Sequence, residues 1–383
     1  MMSERFDAVI IGGGIIGVAV AYHLAKKNFG KIAVLERDQY LGNGSTAKCA
    51  GGIRAQFSSE INVRMSMLSE AKFETFAEEM EAEVQFDQVG YLFILTSEEQ
   101  VASFRRQFAM WQQLGHPCEW LSRDQIKNLA PPLRVDDILA GTYSKRDGIG
   151  DPHQFTQGYV AAARKLGVKF FLESEATGIR TVADKIVSVE TNKGEFLTDT
   201  VVNATGAWSA QVARWVGIDL PVVPIKRQLV TSGPLDFISD SFPMVVDIGS
   251  GLYTHKESGG LLMGWADKDT PVGFDESVHP DYTDAILMRA LDRIPQMETA
   301  EIKAVWGGLY ESTPDHQAVL GSNSAVPRLF HATGFSGHGF MHAPAAGILM
   351  SELICGEKTS LDISPLSAER FAAAPQAGED TVI

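Results

Sequence analysis

A short apolar run that breaks on three glycines most constrains what this chain can fold into. Phe6 to Ile11 is continuous, β-rich and apolar, the pattern of a strand buried on both faces. Gly12, Gly14 and Gly17 follow in GxGxxG spacing, and Ile15 to Lys27 carries apolar and small residues at helical spacing. Strand, glycine turn and helix thus come in the order of a dinucleotide-binding unit. Gly12 permits the tight turn, Gly14 lets the backbone approach a pyrophosphate, and Gly17 lets the helix close onto the strand. Free N–H groups and the dipole at the helix N-terminus favour the phosphates. Ile32 to Leu35 reads as the next strand, and Glu36 lies where an acidic side chain takes both ribose hydroxyls. An acid there disfavours a 2′-phosphate, so NADP is not expected. The unit alone does not separate NAD from FAD.

With 383 residues the chain can hold two domains with sizeable cores. Its 45% apolar and 21% charged residues are those of an ordinary soluble globular protein. The net charge of −15 repels nucleic acid and anionic membranes, so no nucleic-acid partner is expected. Cys49, Cys118 and Cys355 are too few and too scattered for a disulfide framework or a CxxC knuckle. No HExxH occurs, and the residues between His338 and His342 include no acid, so no metal site is expected. The few residues before the first strand are too short for a signal peptide, and no apolar run reaches membrane-spanning length. A cytoplasmic location is the expectation.

Further along, Arg37 to Phe57 reads as a ligand-contacting loop, GNGSTAKCAGGIRAQF at its core. Ser59 to Glu81 reads as one long amphipathic helix, and Val84 to Leu95, with Gly90, as two strands of a different sheet. Helices are expected over Glu98 to Leu114, Gln125 to Leu129 and His153 to Leu166, the last leading into a strand at Val168 to Leu172. Ala176 to Thr198 reads as a β-meander turning at Ala183-Asp184 and Lys193-Gly194. Thr200 to Asn203, running into Gly206, reads as a return to the nucleotide-binding sheet. Short β-type runs between Ile225 and Gly264, then a helix over Tyr282 to Ile294, suit a mostly antiparallel sheet covering a ligand. Leu329 to Thr333 is an expected strand, GFSGHGF leads into an apolar helix ending near Cys355, and AAPQAGEDTVI reads as a mobile tail. The expected fold class is α/β: a Rossmann-type dinucleotide-binding domain (1–83, 141–220, 312–383) interleaved with a mostly antiparallel α+β substrate domain (84–140, 221–311).

GGGIIGVAVAYHLA, GNGSTAKCAGGIRAQF, VVNATGAWSA, GLYESTPDHQAVLG and GFSGHGFMHAPAAG, in this order, resemble the D-amino-acid-oxidase-like flavoproteins. Within them the chain looks closest to the β subunits of sarcosine oxidase and L-proline dehydrogenase. The resemblance runs from about Phe6 to Cys355. It implies FAD, and oxidation of the C–N bond of a small, secondary amino acid to an imine, by hydride transfer from the carbon next to the amine to flavin N5. Sarcosine and proline are the leading substrates. Glycine, D-amino acids and 2-hydroxy acids are the alternatives, as is a flavin-holding electron-transfer subunit. By the resemblance Gly12, Gly14 and Gly17 cradle the pyrophosphate, Glu36 takes the ribose, and Ser45 and Thr46 lie against the phosphates or flavin side chain. It also sets Arg37, Gly206, Trp208, Phe340 and Met341 against the cofactor, with Gly337, His338 and Gly339 at the flavin N1 and C2 carbonyl end.

For the substrate, the resemblance makes Arg54 the carboxylate-binding arginine and places Tyr253 and Tyr310 along the cavity with His338. Lys48, His255 and Lys256 are further basic candidates nearby. Gly308 stands where monomeric sarcosine oxidase carries its flavin-linking cysteine, so noncovalent FAD is expected. Leu262 and Met341 replace lysines of that enzyme, which points toward a dehydrogenase passing electrons to another acceptor or subunit. The β-subunit resemblance also raises an α subunit, with FMN only where that partner is present. His153 is the nearest candidate for it, and no residue secures it.

Overall fold

The opening strand, Ala8–Ile11, has every side chain buried, as a strand covered on both faces must. In the computed structural model, which describes residues 4–372 and 378–381, it sits inside a six-stranded sheet. Ile32–Leu35 and Lys169–Phe171 lie on one side, Val201–Asn203, Leu329–Thr333 and Val319–Ser322 on the other. All pairings are parallel except the last, which is antiparallel. Val9 pairs with Val201, so the strand after residue 200 does return beside the first.

Helix Ile15–Lys26 packs against Pro152–Lys165 and the last helix, Gly339–Ile354. The contact with the last helix is close because Gly347 lacks a side chain: a Cβ there would lie 2.9 Å from the Ala19 carbonyl oxygen. Segments from the middle and the end of the chain thus both pack on the opening helix.

An eight-stranded sheet forms the other half, ordered Ile302–Ser312, Val223–Ser232, Gly260–Trp265, Leu252–Glu257, Met244–Asp247, Tyr91–Leu95, Ala140–Ser144 and Glu119–Leu121. Its pairings are antiparallel except between Met244–Asp247 and Tyr91–Leu95. The expected boundary at residue 141 falls inside strand Ala140–Ser144, which belongs to this sheet. The meander at 176–197 forms its own three-stranded sheet, with positive φ at Ala183, Asp184 and Gly194 as its turns require.

Four expectations need correction. The helix expected over Ser59 to Glu81 is two, Glu60–Glu74 and Phe76–Met80, broken at Thr75, whose hydroxyl donates to the Ala71 carbonyl at 3.2 Å. The two strands expected between Val84 and Leu95 fall in different sheets: Phe86–Asp87 pairs with Gly148–Gly150, which also pairs with Gly52–Ile53. Ile302–Ser312 and Val319–Ser322 are strands beyond those expected. The tail is not free throughout: Glu379 and Thr381 are buried, while 373–377 and 382–383 lie outside the described residues.

Candidate active site between the two sheets

The glycine turn is built under steric compulsion. Gly12 has φ +109°, and a Cβ on it would sit 2.2 Å from the Ala204 carbonyl oxygen. A Cβ on Gly17 would sit 2.0 Å from the Gly12 carbonyl oxygen. Gly14 differs: only Thr46 Oγ1 lies within 4 Å of its Cβ position, at 3.4 Å, so the space above it is open. It caps helix Ile15–Lys26, which has neither a side-chain cap nor an acid in its first turn. Apart from Ile15 N–H, which donates to Thr46 Oγ1 at 3.2 Å, this end suits an anion.

A cavity of about 250 Å³ opens here. Gly12, Gly14, Glu36, Arg37, Ser45, Thr46, Gly206, Trp208, Gly337, Gly339, Phe340, Tyr253 and Tyr310 all line it. Glu36 accepts from Gly13 N–H and Asp38 N–H, each at 2.9 Å, while burial raises its pKa. Arg37 stacks on Trp208, 3.7 Å from the ring centre. Ser45 Oγ donates to the Leu309 carbonyl at 2.7 Å, tying the loop to the other sheet.

Four expected residues lie elsewhere. Gly17 is under the turn. Arg54, His338 and Met341 line an adjoining pocket of about 40 Å³, whose wall includes Tyr253, Tyr310 and Gly337. Gly337, at φ +97°, lies against Tyr310: a Cβ there would meet the ring at 2.4 Å. Arg54 is fully buried, its guanidinium over Phe57 and donating to the carbonyls of Gln56 and, at 2.6 Å, Thr381. Its Nη2 also lies 3.4 Å from His338 Nε2, and burial holds the His338 imidazole neutral, well below its ordinary pKa. Lys48 lines the large cavity but pairs with Glu276 at 2.7 Å. His255 faces two carbonyl oxygens, of Lys256 and Ala50. Lys256 pairs with Asp240, and His153 is an exposed side chain at a helix entry.

Two cavity residues were not expected. In the register of Val223–Ser232 against Ile302–Ser312, Arg227 faces Gly308, and Tyr310 is two residues further on the same face. Gly308 has no side chain, and the Lys48 stem packs into that space: a Cβ there would lie 2.9 Å from Lys48 Cβ. Arg227 Nε is shielded from solvent yet has no hydrogen-bond partner. Glu311, the other, accepts from Thr333 Oγ1 at 2.6 Å and from Gly334 and Phe335 N–H, against burial that raises its pKa. It therefore fixes the turn that enters helix Gly339–Ile354. No local pattern announces either residue, since both depend on which strands pair.

A family pattern described as FAD dependent oxidoreductase, DAO, matches residues 7–353. The chain belongs to this family. It is 30% identical over 390 residues to mitochondrial dimethylglycine dehydrogenase of Rattus norvegicus, covering 96% of this chain but 45% of that protein. It thus spans less than half of that relative's length. Glycine oxidase of Geobacillus kaustophilus is 29% identical, over 96% of this chain and 98% of that one. The crystal structure of L-proline dehydrogenase from P. horikoshii superposes with a TM-score of 0.92 at 32% identity, covering 97% and 99% of the two chains.

FAD is therefore the cofactor of this DAO-family oxidoreductase, and the cradle fits it. Open space above Gly14, uncapped N–H groups behind it and an acid at the ribose position are what an adenine dinucleotide requires. Among the described residues no helix is long and apolar enough to cross a membrane.

Proposed function

We propose that the chain oxidises the C–N bond of a small amino acid, secondary amines such as sarcosine and proline first among them. The observation that carries this reading is Arg227: a buried guanidinium Nε without a partner, lining the cofactor cavity beside Tyr253 and Tyr310. A guanidinium fork binds a carboxylate bidentately, and such a charge-assisted pair contributes about 1.5–3 kcal/mol. Arg54 is committed to main-chain carbonyls, so its part is to hold the small pocket's wall and His338. The narrow aromatic pocket favours a small substrate. Bound FAD would supply the two-electron acceptor. This chain's residues supply position: Arg227 orients the carboxylate, and the phenols of Tyr253 and Tyr310 stay protonated because burial raises both pKa values. The names of the relatives, which act on glycine, proline and dimethylglycine, support the same substrate class.

FAD is held noncovalently in this reading. Gly308 offers no nucleophile, and burial pushes the Cys49 thiol, which lines the cavity, up to about 12. Acid precipitation should leave the flavin in the supernatant.

Anaerobic mixing of the FAD-loaded chain with amino and hydroxy acids tests the function. Bleaching of the flavin by sarcosine or proline supports it. Bleaching by hydroxy acids alone, or by nothing in the panel, overturns it, the latter favouring an electron-transfer subunit. The rate of reoxidation in air then separates oxidase from dehydrogenase use.

A further inference from the structure

Behind the Arg54 loop, outside the cofactor cavity, three segments bring Glu70, His116 and Asp147 together. Glu70 comes from helix Glu60–Glu74. His116 follows helix Glu98–Leu114, turned inward by the left-handed Gly115, φ +77°. Asp147 lies in the link between strands Ala140–Ser144 and Gly148–Gly150. One donor atom from each lies within 4.8 Å of the other two, and His116 Nε2 is 3.9 Å from Asp147 Oδ1. All three side chains have no exposure.

Their hydrogen bonding is incomplete in a way that burial alone does not explain. Both oxygens of Glu70 and both ring nitrogens of His116 are buried without a hydrogen-bond partner. Asp147 is held from outside, accepting from Ser144 Oγ at 2.8 Å and Gln56 Nε2 at 3.1 Å. The nearest cation, Arg146, is 3.6 Å from Glu70 and already forms two bonds to Glu74. Two carboxylates and an imidazole therefore converge on one another, with Glu70 and Asp147 close enough to interact directly.

We propose that Glu70, His116 and Asp147 bind a divalent first-row transition-metal ion, of the Zn²⁺ or Mn²⁺ class, as a structural site. Two carboxylates balance the ion's charge, and the neutral imidazole selects a borderline metal over Mg²⁺ or Ca²⁺. Donors bound to one such ion lie at most about 4 Å apart, so closing the site needs only small side-chain shifts. The ion would pin three segments that share no secondary structure. Because Asp147 also holds Gln56, whose carbonyl accepts from Arg54, the site stands directly behind the substrate pocket. Sequence spacing gave no sign of it, since the three residues belong to three distant segments.

Elemental analysis of the untagged, FAD-loaded chain should find one such ion per chain. After removal by chelator, added Zn²⁺ or Mn²⁺ should restore one equivalent by calorimetry and raise the melting temperature. Glu70→Gln and His116→Gln should lose both effects while keeping the flavin's visible band. A metal-free chain whose melting temperature ignores millimolar Zn²⁺ and Mn²⁺ overturns the proposal, pointing to a proton shared between the carboxylates. Equal metal binding by the variants overturns it as well. Should the variants not fold, the visible spectrum of the Co²⁺-loaded parent decides: oxygen and nitrogen ligation supports the site, and a thiolate charge-transfer band, from nearby Cys118, refutes it.

Discussion

The Arg227 guanidinium lies over the Tyr310 ring, 5.1 Å from its centre, in the wall of the cofactor cavity. A cation over an aromatic face is held in place without spending its hydrogen bonds. Arg227 donates from Nη1 to the Lys226 carbonyl at 3.0 Å and keeps Nε unpaired. The proposed carboxylate receptor rests on that unpaired Nε.

Arg227→Gln should therefore raise KM for amino-acid substrates roughly 10- to 150-fold, the equivalent of one charge-assisted pair. Arg227→Lys should recover part of the loss, since an ammonium binds a carboxylate without the fork. Steady-state kinetics on the substrate that bleaches the flavin measures both. An unchanged KM in Arg227→Gln, with the loss appearing in Arg54→Gln instead, would return the carboxylate to Arg54.

The glycines of the turn should separate folding from cofactor binding. Gly14→Ala places its methyl in open space at the cradle, with φ −72° allowed to any residue, so the apoprotein should fold and bind FAD more weakly. Gly12→Ala drives a Cβ against the Ala204 carbonyl at positive φ, so it should yield little folded protein. Circular dichroism and flavin titration on both variants check the contrast. Loss of fold in Gly14→Ala would show that its methyl meets protein rather than cofactor.

What the sequence disclosed was local. The run from Phe6 through Gly17 carries its own strand, turn and helix chemistry, and Val201–Asn203 is apolar enough to declare itself a buried strand. What stayed hidden depends on pairing between distant strands. Arg227 sits between Lys226 and Gln228 in a strand whose two faces both carry polar residues. Only the register against Gly308 and Tyr310 shows which face lines the cavity. Ile302–Ser312 contains Gly307 and Gly308, which weaken a strand pattern while serving close approaches: a Cβ on Gly307 would meet the Glu276 carbonyl at 2.5 Å. The end of the chain looked mobile because its composition is polar and small, yet Glu379 finds a prepared socket.

That socket makes Glu379 a testable anchor. Its carboxylate accepts from Ser58 N–H and Oγ at 2.7 Å, Ser59 N–H at 3.1 Å and Oγ at 2.9 Å, and Asn62 Nδ2 at 3.0 Å. Burial pushes the carboxyl pKa up, and these donors outweigh it, leaving it below the ordinary value. Glu379→Ala leaves the buried Asn62 amide and the part-buried Ser58 and Ser59 donors without their acceptor and should destabilise the protein by about 1–3 kcal/mol. It should also free Thr381, whose carbonyl accepts from Arg54, and open the segment 378–381 to an added endoprotease. Digestion at the parent's rate, with no change in melting temperature, would show the anchor to be idle.

Buried neutral histidines set the response to acid. Burial pushes the imidazoles of His23 and His342 down to about 3. Unfolded histidine titrates near 6.5, so between about 3 and about 6.5 the unfolded chain binds protons that the folded chain refuses. Their stabilising effect is therefore complete above about 6.5 and declines as pH falls, by about 2 kcal/mol per histidine at pH ~5. Glu36 and Glu311, raised by burial, act in the opposite sense at acid pH, so the informative quantity is a difference between variants. His342→Asn, which removes the imidazole while retaining a polar group toward Ser66 Oγ, should lose less melting temperature than the parent between pH ~7 and ~5. Parallel melting curves for the two proteins across that range would mean that His342 is protonated in the folded state.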